Sequence, residues 1–175
     1  MRKYIETAGD LMKKMILFLL SIVFFGCAGP GLKYSELSNE MNSIQGNKAR
    51  IVVFRTADSA MVGASKPIVN INDNNIGELS FGSFVYADIS AGMHFIETEI
   101  WDKPGSCKIA LTAVQGKTYY FIVDSRTRPF DYYLSGGFAR NALELSLIKC
   151  TSYFAIYPVD EDTATAKLYN LRLNK

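Results

Sequence analysis

Residues 68–100 have the sequence "IVNINDNNIGELSFGSFVYADISAGMHFIETEI". Short runs rich in β-branched and aromatic residues alternate here with turn residues, a pattern typical of consecutive β-strands. Asn72, Asp73 and Asn74 tolerate left-handed backbone conformations, so they predict a tight hairpin turn between the first two runs. The stretch therefore predicts a domain built from short antiparallel strands.

The last run of this stretch alternates with the two-residue period of a strand. Glu97 and Glu99 share one face, and we expect that face to lie in solvent. The opposite face, which we expect in the core, carries His94, Ile96, Thr98 and Ile100.

Further strands are predicted on both sides of this stretch. The β-branched run "RIVVFRT" (50–56) is typical of a strand buried on both faces. The runs "CKIALTAV" (107–114) and "KTYYFIVD" (117–124) are joined by Gln115-Gly116, which predicts a second hairpin. The run "SYFAIYPV" (152–159) predicts a last strand. About eight short strands separated by tight turns indicate an all-β sandwich or partial barrel.

The segment "DEDTATAKLYNLRL" (160–173) predicts a C-terminal helix. Acidic residues stand at its start, whereas Lys167 and Arg172 lie toward its end, as the helix dipole favours. Ala164, Leu168 and Leu171 form an apolar stripe for packing on a sheet. The preceding run "ALELSLIK" (142–149) fits a strand or a helix.

The N-terminal stretch "MKKMILFLLSIVFFGCAG" (12–29) places 12 uncharged residues behind Lys13 and Lys14. As a helix, this run would cover about 18 Å of a bilayer core that is about 30 Å thick. It is too short to span comfortably and has the length of a signal-peptide hydrophobic region. The alternative is a buried core helix. Residues 1–11 contain Glu6 and Asp10, unusual in the head of a signal, so we expect translation to start at Met12.

Gly26-Cys27 at the end of this run resembles a bacterial lipobox, whose Cys receives a diacylglyceryl group. Phe24 and Phe25 depart from the usual Leu and small residue of that motif. The resemblance implies a signal peptide over 1–26. The polar composition of 27–48 predicts a tether, and the short apolar runs from residue 49 onward predict a β-sandwich domain over 49–175, with the helix starting near 160. The lipobox resemblance also implies attachment to the membrane of the cell envelope. Ala28, where Asp would favour inner-membrane retention, suggests the outer membrane by analogy.

Charge and cysteine content agree with export. Residues 1–26 hold four of the 19 Lys/Arg and two of the 17 Asp/Glu, so the mature chain would carry 15 of each. This balance lacks the basic excess of nucleic-acid-binding proteins. Of the three cysteines, an acylated Cys27 would leave Cys107 and Cys150 to form a disulfide in an oxidising compartment. The alternative is two separate buried thiols.

The stretches "KARIVVFRT", "IVNINDNNIGELSFGSFVYADISAGMHFIE" and "GKTYYFIV" resemble a family of small bacterial lipoproteins with a domain of unknown function (number 2846). The piece "SAGMHFIETEI" is similar to PEGA-type β modules of envelope proteins, although it has Ser90-Ala91 where Pro is common, and Met93 separates Gly92 from His94. The resemblance covers about 48–124 and the closing "PVDEDTA". It implies an immunoglobulin-like or PEGA-like sandwich on a lipid anchor, and it implies no catalytic residues.

No catalytic group is predicted. His94 is the only histidine, and its position in a strand after a turn favours a structural role. Ser146 and Lys149 match S-x-x-K, but its companion motifs are missing and such a match is expected by chance. Asp73 with its Asn neighbours offers oxygen ligands for Ca²⁺, but a plain turn explains them better. We therefore expect no enzymatic activity, no metal and no cofactor.

The candidate partner-binding residues are Arg126, Arg128, Tyr132 and Tyr133 in "RTRPFDYY" (126–133), because Arg and Tyr are enriched at binding hot spots. The alternative is that Phe130 and Tyr133 pack this loop onto the sandwich.

Three classes of function remain. The leading one is a non-enzymatic lipoprotein that presents its sandwich to an envelope protein. The second is a module that binds a glycan or small ligand through exposed Tyr or Trp101, and a hydrolase is the third. An open cleft lined by aromatic residues would favour the second class, and a flat surface would favour the first.

Overall fold

The computed structural model describes residues 31–38, 41, 43–58, 65–101, 103–125, 145–152 and 154–174. Within these ranges the chain forms two helices and ten strands. In chain order they are α1 (Tyr34–Leu37), β1 (Lys48–Arg55), β2 (Ile68–Ile71), β3 (Asn74–Glu78), β4 (Ser83–Ser90), β5 (Gly92–Ile100), β6 (Lys103–Ala113), β7 (Thr118–Ser125), β8 (Leu145–Cys150), β9 (Phe154–Val159), α2 (Glu161–Leu168) and β10 (Arg172–Leu173).

The strands form two five-stranded sheets. The first sheet has the order β10-β4-β1-β7-β9, and the second has the order β3-β2-β5-β6-β8. The predicted all-β sandwich is confirmed, with all eight predicted strands present. The run "ALELSLIK", which fitted either a strand or a helix, contributes strand β8. The tenth strand, β10, was not predicted.

Strand β1 lies at the centre of the first sheet. It pairs antiparallel with β4 and parallel with β7. Every residue of β1 after Lys48 is buried, which confirms the prediction of a strand covered on both faces. On one face, helix α1 places the ring of Tyr34 against Phe84 with centroids 5.4 Å apart, and helix α2 contacts β7. On the other, β4 meets the second sheet. The molecule thus has three layers.

The two sheets pack closely against each other at Gly77 of β3. A Cβ added there would lie 2.8 Å from Cγ1 of Val85 in β4, and the residue has a φ of +143°. Only glycine meets both requirements without a steric clash or backbone strain.

Among the described residues, the second sheet is covered on one face only, as the alternating burial of β5 indicates. Strand β5 alternates as predicted, with His94, Ile96, Thr98 and Ile100 buried. Glu97 and Glu99 on the opposite face are partly exposed. The hairpin at Asn72-Asp73 is also confirmed, since both residues have positive φ angles, 50° and 64°, between the paired strands β2 and β3.

The hairpin predicted at Gln115-Gly116 is wrong. A turn is present, closed by the Lys117 N–H donating to the Val114 carbonyl at 3.2 Å. The strands that it joins are not paired, because β6 belongs to the second sheet and β7 to the first. The turn therefore carries the chain from one layer of the sandwich to the other.

The C-terminal helix starts where the sequence predicts and ends earlier. Asp160 caps α2 by accepting a hydrogen bond from the Thr163 N–H at 2.8 Å. The helix ends at Leu168, and Arg172 belongs to strand β10 rather than to a last helical turn. The prediction of a helix through residue 173 is wrong because Arg172 and Leu173 pair with Ser83 and Phe84 of the first sheet.

The described part of the predicted tether, 27–48, is docked on the domain from Gly31 onward. The Leu32 carbonyl accepts from the Leu173 N–H at 2.9 Å, and Lys33 forms a bridge with Arg172. Gly31 has a φ of +105°, and a Cβ there would come within 1.9 Å of the Leu173 carbonyl oxygen. This segment therefore extends the edge of the first sheet beside β10.

Candidate functional site

His94 is held by two hydrogen bonds. Its Nε2 lies 2.9 Å from the Ser90 carbonyl oxygen, and its Nδ1 lies 2.8 Å from Nδ2 of Asn72. A carbonyl only accepts and an amide nitrogen only donates, so the ring must carry its proton on Nε2 and accept at Nδ1. The side chain is 7% exposed. Both nitrogens are thus used to fix the β2–β3 turn against β5, which is the structural role expected for His94.

The residues of that turn are also occupied. Oδ1 of Asn72 accepts from the Phe95 N–H at 2.9 Å, and Oδ1 of Asn75 accepts from the Gly77 N–H at 2.7 Å. The described ranges contain no group of three or more His, Cys, Asp or Glu side chains placed to hold a metal ion.

The two carboxylates on β5 have partners on neighbouring strands. Oε2 of Glu97 lies 2.8 Å from Nζ of Lys108, and Oε1 of Glu99 accepts from Asn70 at 2.8 Å. Partial burial acts to raise the pKa of Glu97. Hydrogen bonds from Lys108 and Ser106, with the charge of Lys108, outweigh this effect and leave the pKa below its ordinary value. The Glu97 hydrogen bond is the main cause that raises the pKa of Lys108. These contacts link β5 to its two neighbours in the second sheet, β6 through Lys108 and β2 through Asn70.

Two arginines of β1 are buried, which the sequence analysis missed. Arg50 forms a two-pronged ion pair with Asp88, with Nε–Oδ1 and Nη2–Oδ2 distances of 2.6 and 2.8 Å, and Nη1 donates to the Met41 carbonyl. The hydrogen bond with Asp88 is the main cause that raises the pKa of Arg50. Arg50 therefore fixes residue 41 to the sheet.

Arg55 is completely buried at the end of β1. Its guanidinium carbon lies 3.8 Å from the ring centroid of Phe81 and 4.8 Å from that of Phe154. Nη1 donates to the Ser65 carbonyl at 2.8 Å, and desolvation lowers the pKa of the side chain. The only sequence signal for this arrangement is an arginine that continues an apolar run. Arg55 therefore contacts three chain segments at this end of the sandwich: the loop before β2, the loop before β4 and the start of β9.

An open groove of about 780 Å³ lies beside Arg50 on the helical side of the first sheet. Tyr34, Tyr120 and Tyr169 line it together with Glu161 and five Ser or Thr residues. The hydroxyls of Tyr34 and Tyr120 are 3.5 Å apart. Desolvation is the main cause that raises the pKa of Tyr120, so this hydroxyl remains a neutral donor and acceptor. We call this feature the tyrosine groove; its residues are too far apart in sequence to have suggested it.

The uncovered face of the second sheet carries a flat apolar patch. Met93 and Phe95 of β5 are 69% and 40% exposed, and Val114 after β6 is 41% exposed. Thr112 and Ala110 lie opposite Met93 and Phe95 in register. We call Met93, Phe95 and Val114 the β5–β6 patch. The Glu97–Lys108 ion pair borders it, since Nζ of Lys108 is 6.0 Å from the Phe95 ring centroid.

Cys107 and Cys150 form a disulfide, in agreement with the sequence expectation. They stand directly opposite each other on β6 and β8. The bond therefore fastens strand β8 to the second sheet.

Several predicted features lie outside the described residues. These are Cys27 with the signal region and the recognition residues Arg126, Arg128, Phe130, Tyr132 and Tyr133. Ser146 falls on β8, opposite Ala110. Within the described ranges, neither helix has the length and apolar content needed to cross a bilayer.

Comparison with known proteins identifies the family. The model of a family of proteins of unknown function (DUF2846) matches residues 45–138, more than half of the chain. The protein therefore belongs to this family, as its resemblance in sequence implied. The match covers strands β1 to β7. No curated protein and no solved structure matches the chain.

Proposed function

We propose that this protein is a non-enzymatic lipoprotein of the bacterial cell envelope, acylated on Cys27, that presents its β-sandwich to a protein partner. The observation that carries the proposal is the β5–β6 patch. Protein-binding surfaces concentrate exposed aromatic residues and Met within a polar rim. Met93 and Phe95 follow this composition, and the Glu97–Lys108 pair supplies part of such a rim.

The location of the patch supports a protein partner rather than a small ligand. Strands β5 and β6 are paired from Gly92 to Ile100, with one bulge near Ile100, so the patch lies on the broad face of a regular sheet. A flat surface buries enough area for stable binding only against another macromolecule, whereas a small ligand needs a concave site. The hydrogen bonds of His94 support a role without catalysis, because both nitrogens hold the turn next to the patch.

The experiment is site-specific photo-cross-linking in cells of the native bacterium. A photoreactive amino acid replaces Met93 in one variant and Asn74 in the control, since Asn74 is exposed on the β2–β3 hairpin outside the patch. We expect one discrete cross-linked protein from position 93 and none from position 74. Identical adducts from both positions, or none from position 93, would contradict the proposal.

The tyrosine groove favours a second function, binding of a glycan or small polar ligand. Its hydroxyl groups and the exposed ring of Tyr169 offer the hydrogen bonds and the stacking surface that sugars use. Oligomers of N-acetylglucosamine are suitable probes in calorimetric titration. We expect Tyr169→Ala to weaken binding by about tenfold, the loss of one aromatic contact, and Phe95→Ala to leave it unchanged. Absence of binding by the unaltered protein would exclude this probe class.

A further inference from the structure

One end of the sandwich gathers three exposed apolar side chains that the proposed function does not use. Leu32, Phe81 and Trp101 are 48%, 40% and 81% exposed. Trp101 is the single tryptophan of the chain. We call the end of the molecule that carries these three residues the anchor end.

Strand register places the three residues at the same end. Strand β1 finishes at Arg55, opposite Ser83, and Ser83 stands opposite Arg172 of β10. Lys33 bridges to Arg172, Leu32 accepts from the Leu173 N–H one position further in from this end, and Phe81 stacks on Arg55.

The second sheet reaches the same end through Arg55. Its Nη1 donates to the Ser65 carbonyl, three residues before β2 begins. Ile68, the first residue of β2, pairs with Glu99 near the end of β5. Trp101 follows directly after β5, so it shares the anchor end with Phe81.

The lipid attachment point is within reach of this end, with the chain before Lys33 running antiparallel to β10 and so leading inward from Ser83. Four residue steps separate Cys27 from Gly31, and an extended chain spans at most about 14 Å over four residues. Gly31 itself is fixed, since its carbonyl accepts from Nη1 of Arg172 at 3.3 Å and its backbone is pressed against Leu173. Cys27 therefore lies within about 14 Å of a fixed point on the β10 edge.

We propose that the anchor end rests on the membrane interface and that the lipid on Cys27 holds the sandwich there in a fixed orientation. This inference relies on the acylation of Cys27 in the proposed function. Tryptophan favours the headgroup region because its ring is apolar and its N–H is polar. Arg172, exposed beside Leu32, supplies a guanidinium suited to lipid phosphates.

The proposal also separates the two apolar surfaces of the molecule. Met93 stands eight positions before Trp101 along β5, a distance of roughly 26 Å for an extended strand. A domain resting on its anchor end therefore keeps the β5–β6 patch away from the lipid, where a protein partner can reach it.

The test measures fluorescence quenching of Trp101 by brominated lipids. The full-length lipidated protein, purified from membranes, is reconstituted in vesicles of phosphatidylcholine brominated near the headgroup. Intact mass first establishes the acyl chains on Cys27. We expect Trp101 to lose more than about half of its emission, because an indole in the headgroup region is close to the bromines.

Two control variants move the tryptophan to the other end. They combine Trp101→Phe with either Met93→Trp or Val114→Trp, both at exposed positions that tolerate a new ring. We expect both to show little quenching. Acylated protein with unquenched Trp101, or with equal quenching at all three positions, would overturn the orientation and leave the proposed function standing. A mass without acyl chains would overturn both.

Discussion

The two sheets of the sandwich bury their strands differently. In the first sheet, β1 is covered by α1 and α2 on one face and by the second sheet on the other, so Ile51, Val53 and Phe54 are all fully buried. In the second sheet, β5 alternates between buried residues and residues open to solvent. A sheet covered on both faces stabilises the fold but exposes little of its own strands for recognition. The second sheet can expose Met93 and Phe95 because its strands need only one covered face.

The largest effect is expected from the disulfide, which compensates for the single layer covering the second sheet. Replacing both Cys107 and Cys150 with Ser should lower the free energy of unfolding by about 4 kcal/mol, the chain entropy of a loop of about 44 residues. Urea unfolding of the chain from residue 28 onward measures this loss. The unaltered chain under reducing conditions should match the double variant, and equal stability with and without reductant would contradict the prediction.

The next effect compares one phenylalanine from each sheet. Phe54→Ala should lower the free energy of unfolding by about 3 to 4 kcal/mol, because it opens a cavity between the helices and the first sheet. Phe95→Ala, at an exposed position of the second sheet, should change it by less than about 0.5 kcal/mol. The same urea titrations measure both. Similar losses of unfolding free energy from the two variants would mean that the two sheets do not differ in how deeply they bury these phenylalanines.

A smaller effect is expected from the ion pair on the first sheet. Asp88→Ala leaves Arg50, whose side chain is 9% exposed, without its carboxylate partner. We expect a loss of about 2 kcal/mol, typical of an uncompensated, largely buried charge. The control is Asp73→Asn on the second sheet, which removes a charge 3.8 Å from Lys108 on a side chain that is 90% exposed and keeps a residue that tolerates the positive φ of this turn. An equally large loss of unfolding free energy in the control would contradict the burial of Arg50 as the cause of the effect.

The smallest effect concerns the Glu97–Lys108 pair. The folded protein lowers the pKa of Glu97, so the pair stabilises the fold above the carboxyl's unfolded pKa and loses this contribution as the pH falls through the folded pKa. Glu97→Gln should therefore cost less than about 1 kcal/mol at neutral pH. It should also reduce the acid sensitivity of unfolding below about pH 4.5. If Glu97→Gln leaves the fall in stability below about pH 4.5 unchanged, other groups determine the acid unfolding.

Sequence patterns predicted the local features of both sheets. The continuous run of β1 and the alternation of β5 follow directly from how many faces of each strand are covered. The turn at Asn72-Asp73 followed from residues that tolerate positive φ angles. In each case the determining residues lie within a few positions of one another.

The features that were missed depend on residues distant in sequence. Turn chemistry at Gln115-Gly116 fixes a change of direction but not whether the flanking strands stay in one sheet. In the sequence, Arg172 fits the basic end of a helix, whereas in the structure it pairs with Ser83 and belongs to a strand. The tyrosine groove brings together Tyr34, Tyr120 and Tyr169, and no local pattern signals such an arrangement.

The parallel pairing of β1 with β7 has a consequence for folding. Arg50 stands opposite Thr118, and Gly31 contacts Arg172 across 141 positions. The centre of the first sheet therefore cannot form until β7 has emerged, and its β10 edge closes only after nearly the whole chain is available. Folds that depend on such distant contacts form slowly. For the exported chain that we propose, the first sheet would therefore assemble only after passage across the membrane.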